Sequence, residues 1–209
     1  MAATPTPTTY ALLGLLAVRP WSAYELAGQA TRSLRFFWPR SEAHVYAEVK
    51  RLVALGFAEA HPARTGGRRR TDYTITPTGR TALEAWLASP PAPPVLEVEA
   101  LLRVMFADQG TMDDLLDAVE VTRQVMAERR QEGVAQVEDY LATGGPFPER
   151  LHLIALMTAF YAGFADLVET WARFAEEEVG WWTRTDGVGL TPELRAVLER
   201  VVAGQPPLG

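Results

Sequence analysis

The chain has no cysteine. That absence removes disulfides, thiolate metal sites and a cysteine nucleophile together. Lysine occurs once, at Lys50, so the positive charge is almost wholly arginine. The three histidines, His44, His61 and His152, fall in separate stretches, and none has metal-ligand spacing with another. The longest apolar run near the start, residues 10–18, is too short to span a bilayer, and no basic region precedes it. A cytoplasmic protein without a membrane partner is the expectation. Gly66-Gly67 lacks the Gly-Lys-Ser/Thr ending of a phosphate loop. The acidic residues Glu97, Glu99, Asp108, Asp113, Asp114 and Asp117 lack the order of an oxygen-ligand loop. Glu176-Glu177-Glu178 reads as a solvated charge run at a helix end. No nucleophile lies beside a base. Neither an enzyme, a metal nor a cofactor is expected.

What is present is enough apolar residue to build a core. Of the 209 residues, 48% are hydrophobic and 22% charged, which is a globular composition with room for one large domain or two small ones. The charge is unevenly placed. Residues 1–89 hold 11 Lys+Arg against 6 Asp+Glu, and residues 90–209 hold 9 against 20. A basic part followed by an acidic part points to two modules with different partners. The run Ser89-Pro90-Pro91-Ala92-Pro93-Pro94 cannot continue a helix, because proline lacks the N–H and clashes with the turn before it. Two domains are therefore expected, residues 1–89 and 90–209.

The first module reads as helix, helix, helix, strand, basic turn, strand, helix. Tyr10, Leu13, Leu16 and Ala17 have helical spacing, and Arg19-Pro20 stops that helix. Ser22 and Glu25 form a capping box for a second helix over about 23–31. Ser41 caps a third, about 42–55, whose core side is Val45, Val49 and Leu52, and Gly56 ends it. Residues 57–61 and 71–75 read as strands around Arg64-Thr65-Gly66-Gly67-Arg68-Arg69-Arg70, with the arginines extending from the tip of the turn. Thr76-Pro77 starts a fourth helix with Ala82, Leu83, Trp86 and Leu87 on its apolar face.

The second module is helical. Helices are expected over 95–107, 112–141, about 149–179, and from a Thr191 cap to about residue 203. In the third of these, Leu153, Met157, Phe160, Phe164, Leu167, Trp171 and Phe174 alternate at spacings of four and three, a heptad seam. A second row, Ile154, Tyr161, Val168 and Ala175, recurs every seven. One row suffices to pack within the chain, and two make an arc wide enough for a second copy. The fold class is mainly α: an N-terminal winged helix-turn-helix and a C-terminal all-helical dimerisation domain.

That order of elements suits double-stranded DNA. The third helix can enter a major groove with its core face turned away, and wing arginines can follow phosphates or enter the minor groove. Arg40 and Ser41 lie at the start of that helix, and helical geometry selects Ala43, His44, Ala47 and Lys50 as its outward residues. Glu42 and Glu48 put acid on the same helix, with Glu48 able to turn aside to Arg51 or Arg40. The rival reading is a winged helix that binds proteins and no DNA, for which a basic wing has no use.

The third helix reads Ser41-x-x-x-Val45-Tyr46-x-x-Val49-x-Arg51-Leu52, followed by Leu55-Gly56-Phe57. The wing and fourth helix read Gly67-Arg68-Arg69-Arg70-Thr71-Asp72-Tyr73-Thr74-Ile75-Thr76-x-x-Gly79, then Leu83-x-x-Trp86-Leu87. As a set, over about residues 9–89, these motifs resemble the PadR family of bacterial transcriptional regulators. The acidic helical half resembles the C-terminal dimerisation domain of the longer members. The resemblance implies a homodimeric repressor that binds a pseudo-palindromic operator and is released by a small molecule. It places the family's phosphate-contacting tyrosine at Tyr46 and its basic wing at Arg68, Arg69 and Arg70. His44 departs from the pattern, which usually has a small hydroxyl or similar residue there. For the effector, an apolar or aromatic molecule, the expected pocket involves Tyr161, Trp171, Trp181 and Trp182, the last two beyond the heptad register beside Gly180.

Overall fold

Thr6 opens the first helix, α1 (Pro7–Val18): its hydroxyl accepts from the Thr9 N–H, and the Thr9 hydroxyl accepts from the Thr6 N–H. Such reciprocal caps satisfy donors that the first turn would otherwise orphan. The computed structural model describes residues 4–65 and 68–208, and of residues 65 and 68 the backbone alone. The chain divides into two compact units, Met1–Pro94 and Val95–Gly209.

In the first unit α1 is followed by β1 (Trp21–Ser22), α2 (Ala23–Leu34), α3 (Glu42–Ala54), β2 (Ala58–Thr65), β3 (Arg68–Ile75) and α4 (Pro77–Ala88). The sheet order is β1-β3-β2, all antiparallel. Leu12, Leu13, Leu16, Leu26, Val45, Val49 and Leu52 are buried together between α1, α2 and α3. The strand β1 is absent from the sequence reading because two residues carry no periodicity. Each wing strand is eight residues long, so the arginines of 68–70 belong to β3 and do not project from a turn tip. Gly66 and Gly67, read as that turn, lie outside the described residues. The apolar face of α4 is only partly used within its unit. Trp86 stacks on Tyr10 with ring centroids 5.0 Å apart, while Leu87 is exposed.

The second unit contains α5 (Glu99–Met105), α6 (Met112–Thr143), α7 (Leu151–Val179) and α8 (Pro192–Val202), with 3-10 turns at Ala107–Gln109 and Pro148–Arg150. The helix expected from residue 95 starts only at Glu99, because its cap position is Val98, which offers no side-chain acceptor. Gly144, at φ +81°, ends α6 in the left-handed conformation that glycine adopts without penalty.

The helices α6 and α7 pack antiparallel. Leu115 and Val119 meet Ala172 and Val179, and further along Met126 meets Ala165 and Val168. Arg123–Glu176 at 3.3 Å and Arg130–Asp166 at 2.6 Å flank the contact. The inward side of α7 thus includes Val168, with Tyr161 and Ala175 packed beside it. The other row remains outward: Leu153, Met157, Phe160 and Leu167 are exposed in the single chain, Phe160 by 75%. Phe164 and Trp171 are half-buried against their own unit, so the free stripe is shorter than the seven-residue seam. One helical stretch, Pro148–Val179, is long and apolar enough to cross a membrane by length and composition.

The charge run at the end of α7 is only partly solvated. Glu177 is exposed and Glu176 pairs with Arg123. Glu178 is 5% exposed. Its Oε1 accepts from the Trp182 indole N–H at 3.0 Å and from the Thr191 hydroxyl at 2.7 Å. Thr191 in turn caps α8 by accepting from the Leu194 N–H. Glu178→Ala would leave two half-buried donors without their acceptor, at about 1–3 kcal/mol. The expected result is faster hydrogen exchange in residues 191–202 with α6 and the first half of α7 unchanged. Equal exchange in variant and parent would show that Glu178 does not hold α8.

Candidate nucleic-acid interface

Helix α3 has two unlike faces. Ser41 caps it by accepting from the His44 N–H. Val45, Val49 and Leu52 point into the core, and Glu42, Ala43, His44, Ala47 and Lys50 point to solvent, with Tyr46 half-buried. Glu48 does not add acid to the outer face. It is 5% exposed, accepting from the Thr9 hydroxyl at 2.7 Å and from Arg51 at 3.0 Å. A buried carboxylate needs such partners; here they are Thr9 and Arg51, not Arg40. Arg40 donates to Thr8 Oγ1 and lies 4.8 Å from the Trp38 ring centroid, which fixes it against α1 at the start of α3.

The wing carries its charge on two faces. Residues opposite one another in an antiparallel pair share a face. Arg64 stands opposite Arg69 and Ala63 opposite Arg70, so Arg70 lies on the face away from the other two. Both Arg64 and Arg69 are exposed, and neither makes an ion pair among the described residues. Arg70 is engaged: its guanidinium approaches Asp72 at 2.8 and 3.0 Å and Glu25 at 3.4 Å. Glu25 also accepts from the Ser22 N–H and hydroxyl, and Ser22 is the strand partner of Asp72. The Ser22 N–H bond, then the Ser22 hydroxyl and the Arg70 charge, hold the Glu25 carboxyl below its usual value. The side chain of Arg68, read as part of the basic wing, lies outside the described residues.

Three helices, a three-stranded sheet and an outward-facing α3 make a winged helix. Residues 12–85 match the model of the Transcriptional regulator PadR-like family. This chain carries a PadR-like domain. The negative transcriptional regulator PadR of Bacillus subtilis is 30% identical over 99 residues, 46% of this chain and 54% of that protein. The chain spans about half the length of the curated relatives it matches. Among solved structures, a Streptococcus mutans protein superposes with a TM-score of 0.65 at 21% identity, covering 77% of this chain and 95% of that one. Bacillus subtilis PadR in complex with operator DNA superposes at 0.63 with 20% identity, covering 80% and 98%. The same protein with p-coumaric acid superposes at 0.59 with the same identity and coverage. At these identities the likeness is one of fold. The fold extends past the PadR-like domain into the helical region after it.

The four aromatics expected around an effector do not converge. Trp171 and Trp182 pack on the cluster of Leu115, Val119, Ala172 and Val179. Tyr161 belongs to a different cluster, with its hydroxyl 3.7 Å from Met126 Sδ, and Trp181 is 86% exposed. An open cleft of about 470 Å³ lies between α5 and the start of α6, walled by Leu102, Phe106, Ala107 and Leu115, with Arg103 and Gln109 at its polar side. Ala107 and Leu115 also touch the cluster that holds Trp171 and Trp182. No group of residues among those described could hold a metal. Sequence reasoning missed Arg64 and Glu25 at the wing, and this cleft. Strand register would have revealed the first, but register follows from the turn and the sheet as a whole.

Proposed function

We propose that the chain is a sequence-specific, DNA-binding transcriptional regulator acting as a homodimer, and a repressor released by a small molecule. The observation that carries this reading is the pair of faces on α3. A buried Val45/Val49/Leu52 side fixes the helix, and an outward Ala43/His44/Ala47/Lys50 side is free to meet base edges. The relatives that share the PadR-like domain are transcriptional regulators, and one structural neighbour holds operator DNA. A homodimer follows from the outward stripe on α7, because Leu153, Phe160 and Leu167 form an apolar surface that a second copy can cover.

The neighbour bound to p-coumaric acid supports an aromatic or apolar effector. In this chain the cleft beside α5 is the better site than the four aromatics, since its volume lies in the range of small-molecule pockets. Selection from randomised duplexes with the full-length protein tests the main reading. It should yield a two-fold repeated motif with half-sites about 34 Å apart or a multiple of that. His44→Ala or Lys50→Ala should alter the preferred sequence by about 1–3 kcal/mol per base contact. Recovery of no motif would sink sequence-specific binding.

A further inference from the structure

Arg64 and Arg69 face each other across the wing with no carboxylate between them. Like charges directly opposite on paired strands destabilise a sheet. Such a pair is relieved by an anion that both guanidinium groups can reach, and guanidinium matches phosphate geometry with its fixed fork of donors. On the other face Arg70 is already bound to two carboxylates. It joins β3 to Asp72 on its own strand and to Glu25, the residue that completes the cap of α2. Its charge is compensated locally, and its position ties the wing to the helical core.

Resting on the reading that this chain binds DNA, we infer that the two faces of the wing divide the work: Arg64 and Arg69 together hold one backbone phosphate region, and Arg70 is a positioning residue that sets the wing through Asp72 and Glu25. The three adjacent arginines are thus not equivalent, and Arg64, on the other strand, is the functional partner of Arg69.

The test uses the full-length protein and a labelled duplex of arbitrary sequence, about two helical turns long. Binding is followed by anisotropy between about 50 and 200 mM salt. R64Q/R69Q should lower the salt slope by about 0.9 for each of the two contacts. Without DNA, the same variant should melt about 1–5 °C higher, because the like-charge pair is gone. R70K keeps the charge but loses the planar fork, and it should weaken binding about two- to fivefold. E25Q removes a negative charge and should nevertheless weaken binding to the same extent.

If Arg70 itself touched DNA, R70K would bind like the parent and E25Q would bind more tightly. Either result overturns the division. An unchanged slope in R64Q/R69Q while the parent binds overturns the phosphate pair and leaves the DNA-binding reading intact. A parent that binds no duplex at any salt overturns that reading, and this inference with it.

Discussion

Phe160→Glu combined with Leu167→Glu should convert the full-length protein from a dimer to a monomer and remove operator binding. Both side chains are exposed in the single chain, on the outward row of α7, seven residues apart. They contribute little to the fold of their own unit, so the far-UV circular dichroism should not change. In a dimer each would be buried against the second copy, gaining about 1.5–3 kcal/mol per side chain. Glutamate at the same places loses that burial and adds an unpaired charge in an apolar contact, which costs several kcal/mol more. The change occurs twice in a symmetric dimer. Light scattering at micromolar concentration would read the mass directly. DNA binding should fall with it, because one winged helix makes half the contacts of two. A double variant that still scatters as a dimer would place the interface elsewhere, with the exposed faces of α5 and α8 the next candidates.

Gly79→Ala should be the most damaging small substitution in the PadR-like domain. A Cβ built on Gly79 would lie 2.2 Å from the Phe57 carbonyl oxygen and 3.1 Å from Ile75 Cγ1. The oxygen cannot yield easily. It accepts from the Thr76 N–H at 3.0 Å, and the Thr76 hydroxyl donates to the Gly56 carbonyl at 2.6 Å. The clash is therefore between backbone and backbone, at the point where α4 begins against the turn that ends α3. The expected loss is about 3 kcal/mol, which corresponds to a fall of about 12–24 °C in Tm for a unit of this size. Gly28→Ala is the control. Gly28 lies within α2 with nothing inside 4 Å of its Cβ position, so alanine should leave the melt unchanged or raise it by a few degrees. Equal melting of the two variants would show that the close approach at Phe57 is not maintained in solution.

The same comparison separates two kinds of information. The sequence by itself determined the helix starts, because a cap is a bond between residues three apart. Ser22 with Glu25, Ser41, Thr76 with Pro77, and Thr191 with Pro192 are each visible as a short string, and each caps in the structure. It also determined which side of α3 is core, since Val45, Val49 and Leu52 recur at helical spacing. The order of helices and wing strands that makes a winged helix followed from these local signals and from the change of period at Gly56.

Only the tertiary structure decided where the charged side chains go. Glu48 takes its partner Thr9 from 39 residues away, and Arg70 takes Glu25 from 45 residues away. Glu178 reads as a solvated end of α7 until Thr191 and Trp182 are brought over it. Arg64 and Arg69 face each other only once the register is set over eight paired residues. Spacing along the chain cannot show any of these, because an ion pair or a buried carboxylate depends on which distant donor the fold delivers. The two rows of α7 show the same limit. Their period is written in the sequence, but which row meets α6 and which remains outward depends on the small side chains of Ala165 and Ala172, which let α6 approach on that side alone.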